Sequence, residues 1–287
     1  MEPKHVTVYG NDHSPWVQAV LLGLHDRGIP YTLVTVPPLR VFLGGGVLMP
    51  AARIDDGPWI YDSAAILAAV GYGGVRKEDA GDLVMLFRSS AARRTASATR
   101  FWSRFSLSRD GHPNALRRHW NHFWRAFSIF YFFNLISVAG RTFRPEDPFA
   151  GRDAMCAMQS RLDRAGPFFG GASPDTVDLQ LFGLVQMCSS IPVPELGMLQ
   201  QDPKLDRLRQ WVAEMQSRFS DYDRLYSATD YAPAQPAPPT TTATERAAFW
   251  LGAVTMWLAF PVTIPLVVIY VLRSQKIQRS SRPEPID

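Results

Sequence analysis

The tightest constraint on this chain is a run of 26 residues, 247–272, that contains no Asp, Glu, Lys or Arg. Such a run makes a poor surface helix, because it has nothing with which to build a charged, solvated face. At about 1.5 Å per residue it is roughly 39 Å long as a helix, more than the ~30 Å hydrocarbon thickness of a bilayer. Trp250, Trp257 and Tyr270 are residue types that settle at membrane interfaces. Pro261 and Pro265 lie inside the run and kink it, which membrane helices tolerate. The preceding stretch 231–243 holds four prolines and no charge, the composition of a semi-extended spacer. With that spacer before it and the basic residues Arg273, Lys276, Arg279 and Arg282 after it, the run has nothing evident to pack against. A single C-terminal transmembrane helix is expected.

The other 246 residues before the run are enough for two ordinary domains. Their charge is uneven. Between 83 and 144 stand eleven Arg against one acid, Asp110, an excess of ten where the whole chain carries only +4. That asymmetry calls for an anionic neighbour, either an anionic lipid surface or an acidic protein partner. Nucleic acid fits badly with a membrane anchor. Cys156 and Cys188 stand apart from each other and from any His cluster, so neither a disulfide framework nor a metal site is expected. His119 and His122 are three apart on a helix, with no third ligand evident. The first 30 residues lack the charged, apolar, small-residue order of a signal peptide. The folded part is therefore expected to face the cytoplasm, held by a single-pass tail anchor.

Along the chain, 5–9 alternates β-branched and aromatic residues as a strand does. Ser14 and Pro15 open a helix as N-cap and first helical residue, with Val17, Val20, Leu21 and Leu24 as its apolar stripe and Gly28 as its stop. Residues 31–36 read as a second strand, and 37–50 as a Pro/Gly-rich loop. Two short strands, 51–54 and 58–60, flank the Asp55, Asp56, Gly57 turn, and Asp62 or Ser63 caps a helix over 64–70. The order is βαβ then ββα. From 77 to about 227 only helical patterns occur, over 79–99, 114–139, 153–165, 175–189 and 203–219. Asp175 and Asp178, three apart before an apolar run, form a variant capping box. The aromatic stretch 129–133 reads as part of a buried central helix.

The segments VYGNDHSPWVQAVLLGLHDRGIPY and MPAARIDDGPWIYDSAAIL, followed by Asp175 and Asp178, resemble the glutathione transferase superfamily in ordered spacing over about 225 residues. The resemblance implies an α/β thioredoxin-like domain, 1–75, and an all-α helical domain, 76–230. These are followed by a linker, 231–246, the transmembrane helix, 247–272, and a basic tail, 273–287. It also implies glutathione as co-substrate. Ser14 would stabilise the thiolate, because a hydroxyl donor at a helix N-terminus favours negative charge there. Met49 and Pro50 resemble the family's cis-proline step, whose backbone pairs with the cysteinyl part of glutathione. Asp62 and Ser63 look like the pair that receives the γ-glutamyl end, Ser63 at its carboxylate and Asp62 near its ammonium. Asn11 and Trp16 are accessory neighbours. Leu48 stands where relatives often carry Lys, Arg or Gln, which leaves Arg40 or Arg53 to meet the glycine-end carboxylate. Two functions follow. One is a membrane-tethered transferase that conjugates or isomerises hydrophobic electrophiles. The other is a non-catalytic scaffold or docking subunit of a membrane complex. A homodimer suits either.

Overall fold

The computed structural model describes residues 5–12, 14–45, 48–91, 113–142, 150–189, 199–225 and 241–281. The N-terminal domain runs β1 (Val6–Tyr9), α1 (Pro15–Asp26), β2 (Tyr31–Val34), α2 (Leu39–Gly45), β3 (Ala51–Ile54), β4 (Trp59–Tyr61) and α3 (Ser63–Ala69). Its sheet has the order β2-β1-β3-β4, with β1 parallel to β2 and antiparallel to β3, and β3 antiparallel to β4. Alternation along β1 sends Val6 and Val8 into the main core with α1 and α3, while Tyr9 packs with Ala51 and with Val41 of α2 on the opposite face.

Helix α2 replaces the loop expected over 37–50. Pro37 and Pro38 directly before Leu39 suit a helix start. The signal was masked because only Val41 is fully buried while Leu39, Phe42 and Leu43 are exposed. An apolar face turned outward breaks the periodicity that a sequence reader looks for.

The helical domain contains α4 (Lys77–Ala91), α5 (Ala115–Thr142), α6 (Ala150–Ala165) and α7 (Thr176–Ser189), then a 3-10 turn (Pro203–Leu205) leading into α8 (Asp206–Arg218). Helix α7 is its axis. Leu179 and Phe182 of α7 share the main core with Met158 of α6 and Met215 of α8, and the Phe182 ring meets those of Trp211 and Phe219. The predicted capping box forms. Asp175 Oδ1 accepts from the amides of Val177 (2.7 Å) and Asp178 (3.1 Å). Asp178 accepts from the amides of Asp175, Phe169 and Gly170 and from Trp211 Nε1 at 2.7 Å. Burial, followed by the Asp175 charge beside it, pushes the Asp178 carboxyl up to about 7, although the N–H donors pull the other way.

The last helix, α9 (Ala243–Ser281), contains the whole uncharged run. Among the described residues no helix is long and apolar enough to cross a membrane. The transmembrane helix expected over 247–272 is therefore not found there; the side chains of 264 and of 266–272 lie outside the described residues. The assumption that the run lacks a packing partner is also corrected, because α9 lies along α5. Phe249, Ala253 and Met256 pack with Ala126, Phe130 and Tyr131 in a cluster separate from the main core. Tyr131 meets Phe260 edge-on at 5.6 Å. Phe130 and Tyr131 of the aromatic stretch 129–133 thus serve the α5–α9 seam rather than the centre of the domain; the side chains of 129, 132 and 133 lie outside the described residues. Helix α9 starts inside the stretch read as linker, at a reciprocal cap between Thr242 and Glu245. The Thr242 amide, and then Arg118 at 2.8 Å, hold the Glu245 carboxyl down at about 2. The Thr-x-x-Glu spelling of that cap was readable in the sequence. The Pro-rich residues 231–240 lie outside the described residues, as do 92–112 of the Arg-rich stretch, including Arg100, Trp102, Arg104 and Phe105.

Candidate functional site

The strand registers bring three predicted segments to one edge of the sheet. Tyr9 pairs with Ala51, and Ala51 pairs with Tyr61. The next residues along, Gly10, Pro50 and Asp62, therefore emerge at the same end. The Met49-Pro50 peptide is cis. The Asn11 amide lies 3.3 Å from Met49 Sδ, which ties the turn after β1 to the cis-proline turn. Gly10, at φ +155°, has no room for a side chain, since a Cβ there would sit 2.4 Å from a Val17 methyl. The close approach sets the first turn of α1 against that edge.

Ser14 stands at the N-cap of α1 with φ −68° and ψ 128°, and its side chain makes no capping hydrogen bond. Its carbonyl closes the first helical turn by accepting from Gln18, and its amide donates to Asn11. The hydroxyl is thus not committed to holding the helix end. Trp16, half-buried, packs its ring 5.7 Å from Phe87 of α4 and so helps join the two domains beside Ser14.

Asp62 has φ 79° and ψ 133°, a strained conformation for a residue with a side chain. Its carboxylate accepts from the Ala64 amide at 2.8 Å and so caps α3. Ser63 is buried. Gln180 of α7, also buried, donates from Nε2 to Ser63 Oγ at 2.8 Å. Because the Ser63 oxygen accepts there, its own proton is left to donate elsewhere. The sequence reading missed Gln180. Its signal is a lone amide in the apolar run 179–185, where a buried polar group requires a partner.

The remaining candidates lie apart. Arg53 sits three residues along β3 from Pro50, in register with Trp59, and its guanidinium is 5.8 Å from that indole ring. Arg40 is exposed on α2. A polar cleft of about 430 Å³ occurs elsewhere, lined by Arg76, Asp79, Arg161 and Asp175 among others. Its charges are already paired: Asp79 lies 2.9 Å from Arg76 and 2.8 Å from Arg161, which also reaches Asp82. That network joins α4 to α6.

The N-terminal domain meets the helical domain at α7, and its own end is tied back to α1. Gly183 of α7 lies against the first turn of α1, where a Cβ would come within 2.3 Å of the Pro15 carbonyl oxygen. Thr176 donates to the Gly73 carbonyl at 2.6 Å. Tyr72 donates to Asp26 at 2.7 Å, and Arg27 lies over the Tyr72 ring.

Part of this edge is similar to a known family. Residues 13–71 match the family described as "Glutathione S-transferase, N-terminal domain". No curated protein matches the chain. Among solved structures, a glutathione S-transferase from Pseudomonas fluorescens shares 17% identity over 74% of this chain and 94% of its own, with a TM-score of 0.42. A diazinon-metabolizing glutathione S-transferase of the silkworm Bombyx mori shares 11% identity over 85% of this chain and 98% of its own, with a TM-score of 0.44. The matched segment, residues 13–71, is the one that carries the α1 start, the cis-proline turn and the α3 cap, and in that segment the chain is similar to a glutathione S-transferase N-terminal domain.

Proposed function

We propose that the chain binds glutathione at this sheet edge and conjugates or isomerises hydrophobic electrophiles with it, while tethered to a membrane through residues 247–272. The observation that carries the glutathione half is the Ser14 hydroxyl, held at the start of a 12-residue helix and not used to cap it. A thiolate near that hydroxyl accepts its hydrogen bond and gains from the positive end of the helix, both of which favour loss of the thiol proton. The thiolate sulfur then forms a bond to an electrophilic carbon, and the displaced group leaves with the bonding pair. For an isomerisation the sulfur adds and is later expelled. The γ-glutamyl carboxylate is matched by the Ser63 hydroxyl and the first amides of α3, and its ammonium by the Asp62 carboxylate. Among the described residues the glycine end has no comparable match: Leu48 stands where relatives often carry a polar residue, and Arg53 lies beside Trp59.

Titration of the full-length chain with glutathione tests the reading. Ser63→Ala is expected to weaken binding about tenfold, or about 1.4 kcal/mol. Ser14→Ala is expected to leave binding within about twofold and to raise the thiol pKa of the bound tripeptide, read from its thiolate absorbance. Absence of binding by the wild-type chain at millimolar glutathione overturns the proposal.

A further inference from the structure

Helices α5 and α9 run parallel. Arg118 meets Glu245 at their starts, the α5 backbone at Phe123 lies against Gly252, and Asn134 reaches Met256 further along. This seam uses one side of α9. The other side presents Trp250, Leu251, Val254, Trp257 (54% exposed), Leu258 (76%) and Val262 (77%). These positions fall at helical spacing on one face, and no charge interrupts them. Helix α2, which packs against α9, adds Leu39, Phe42 and Leu43 (57% exposed). The same α2 covers Tyr9 and Ala51 at the sheet edge where the glutathione site is proposed. An outward apolar face of this extent on a folded chain marks an interaction surface.

We infer that α2 and the outward face of α9 form one bilayer-docking surface, which brings the mouth of the glutathione site down to the lipid. The occupant follows from composition. A protein partner meets a polar rim around an apolar centre, whereas here the uncharged stretch continues unbroken to residue 272. As one helix it exceeds the ~30 Å hydrocarbon thickness. Helix α5 is also uncharged from 126 to 140, a 15-residue stretch of about 22 Å that can enter one leaflet but not cross both. Past the run, Arg273, Lys276, Arg279 and Arg282 match anionic headgroups. An apolar electrophile dissolved in the bilayer would then reach the thiol along α2 without passing through water.

The inference rests on the membrane half of the proposed function and is separable from it. The full-length chain, with Cys156→Ser and Cys188→Ser, is reconstituted in vesicles of neutral and anionic phospholipid. A nitroxide is placed by Leu43→Cys in one sample and Leu258→Cys in another. Relaxation by lipid-soluble oxygen and by a water-soluble nickel chelate is compared, with circular dichroism as the check on folding and glutathione binding measured separately. Greater access to oxygen than to nickel at both positions is the expected result. Oxygen at 258 with nickel at 43 keeps the tether and overturns the docking of α2. Nickel at both overturns tether and docking together. Shielding of 43 from both reagents marks a second protein copy on the surface and overturns the lipid assignment. Loss of glutathione binding by the wild-type chain with oxygen access intact fails the catalytic reading alone.

Discussion

The α1–α7 contact and the α5–α9 contact are built with the same device and end differently. In each, a glycine lets two helices approach until backbone meets backbone. A Cβ on Gly183 would lie 2.3 Å from the Pro15 oxygen, and one on Gly252 would lie 2.1 Å from the Phe123 oxygen. Around Gly183 the far sides of both helices are also covered, so Leu21, Leu22, Leu179 and Phe182 are all buried. Around Gly252 only the seam is covered, and Leu251, Val254 and Leu258 face outward. Close helix packing therefore does not by itself make a core. What lies behind the helices decides whether the contact is the centre of a domain or the edge of an interface.

The sharpest way to break this comparison is to put the same side chain at both glycines. Gly183→Val drives a branched side chain into the first turn of α1, and neither helix can retreat through a filled core. The expected loss exceeds about 4 kcal/mol, with glutathione binding abolished. Gly252→Val is expected to separate α9 from α5 while lowering glutathione affinity far less than Gly183→Val does, since α9 reaches the sheet edge only through α2. Chemical denaturation and titration of the two variants measure both outcomes. Equal damage to binding would show that the two contacts belong to one cooperative unit.

The second prediction concerns the capping box under the α1–α7 contact. The Asp178 carboxyl titrates near 3.8 when unfolded and at about 7 when folded. Between those values the folded chain holds a proton that the unfolded chain releases, so this contribution to stability is complete below the lower value and is lost as pH rises through the upper one. Asp178→Asn removes the titration and turns an amide donor towards groups that already donate. It is expected to cost about 3 kcal/mol. Denaturant midpoints of the variant should also fall less than those of wild type between about pH 5 and about pH 8. The Glu245 carboxyl in the other contact, held at about 2, has the opposite sign: its contribution is present above the ordinary carboxylate range and is lost only in strong acid. A variant with an undiminished slope would place the titration elsewhere.

Much of the first contact was legible in the sequence. The α1 start at Ser14 and Pro15, the Asp62 cap and the Asp175/Asp178 box are all local, and local chemistry is written in adjacent residues, whereas the cis-proline turn was legible only through the family resemblance. Gln180 was not legible in the same way, because its partner Ser63 is 117 positions away and nothing near it names that partner. The α5–α9 seam failed for a related reason. An uncharged run announces that it must avoid water, yet its composition cannot say which part of the same chain covers one of its sides. Arg53 was also beyond local reading, because its neighbour Trp59 stands on the next strand.

A smaller effect is expected where the two domains exchange a single hydrogen bond. Gln180→Leu removes the donor to Ser63 Oγ without leaving a void, at a cost of about 1 kcal/mol. With its oxygen relieved of that donor, the Ser63 hydroxyl loses its fixed direction, and glutathione affinity should drop about threefold. Gln180→Glu, which can only accept while ionised, would draw the Ser63 proton inward and weaken binding further. Recovery of affinity in Gln180→Glu relative to Gln180→Leu would argue that Gln180 merely fills space.

The smallest effect belongs to the outward side of α9, and it is the most direct measure of what the comparison claims. Leu258 is 76% exposed, while Met256, two positions away, is fully buried and receives Asn134 Nδ2 at 3.5 Å. Leu258→Ser should change the stability of the α5–α9 pair by less than about 0.5 kcal/mol, because the side chain gives up few contacts within the fold. Met256→Ser opens a cavity in the seam and should cost about 2–3 kcal/mol. Amide exchange along α5 and α9 in both variants reads the difference locally, without requiring that the whole chain unfold in one step. If the two substitutions proved equally costly, the outward face would already be covered by the chain itself, and the distinction between a filled core and an open seam would collapse.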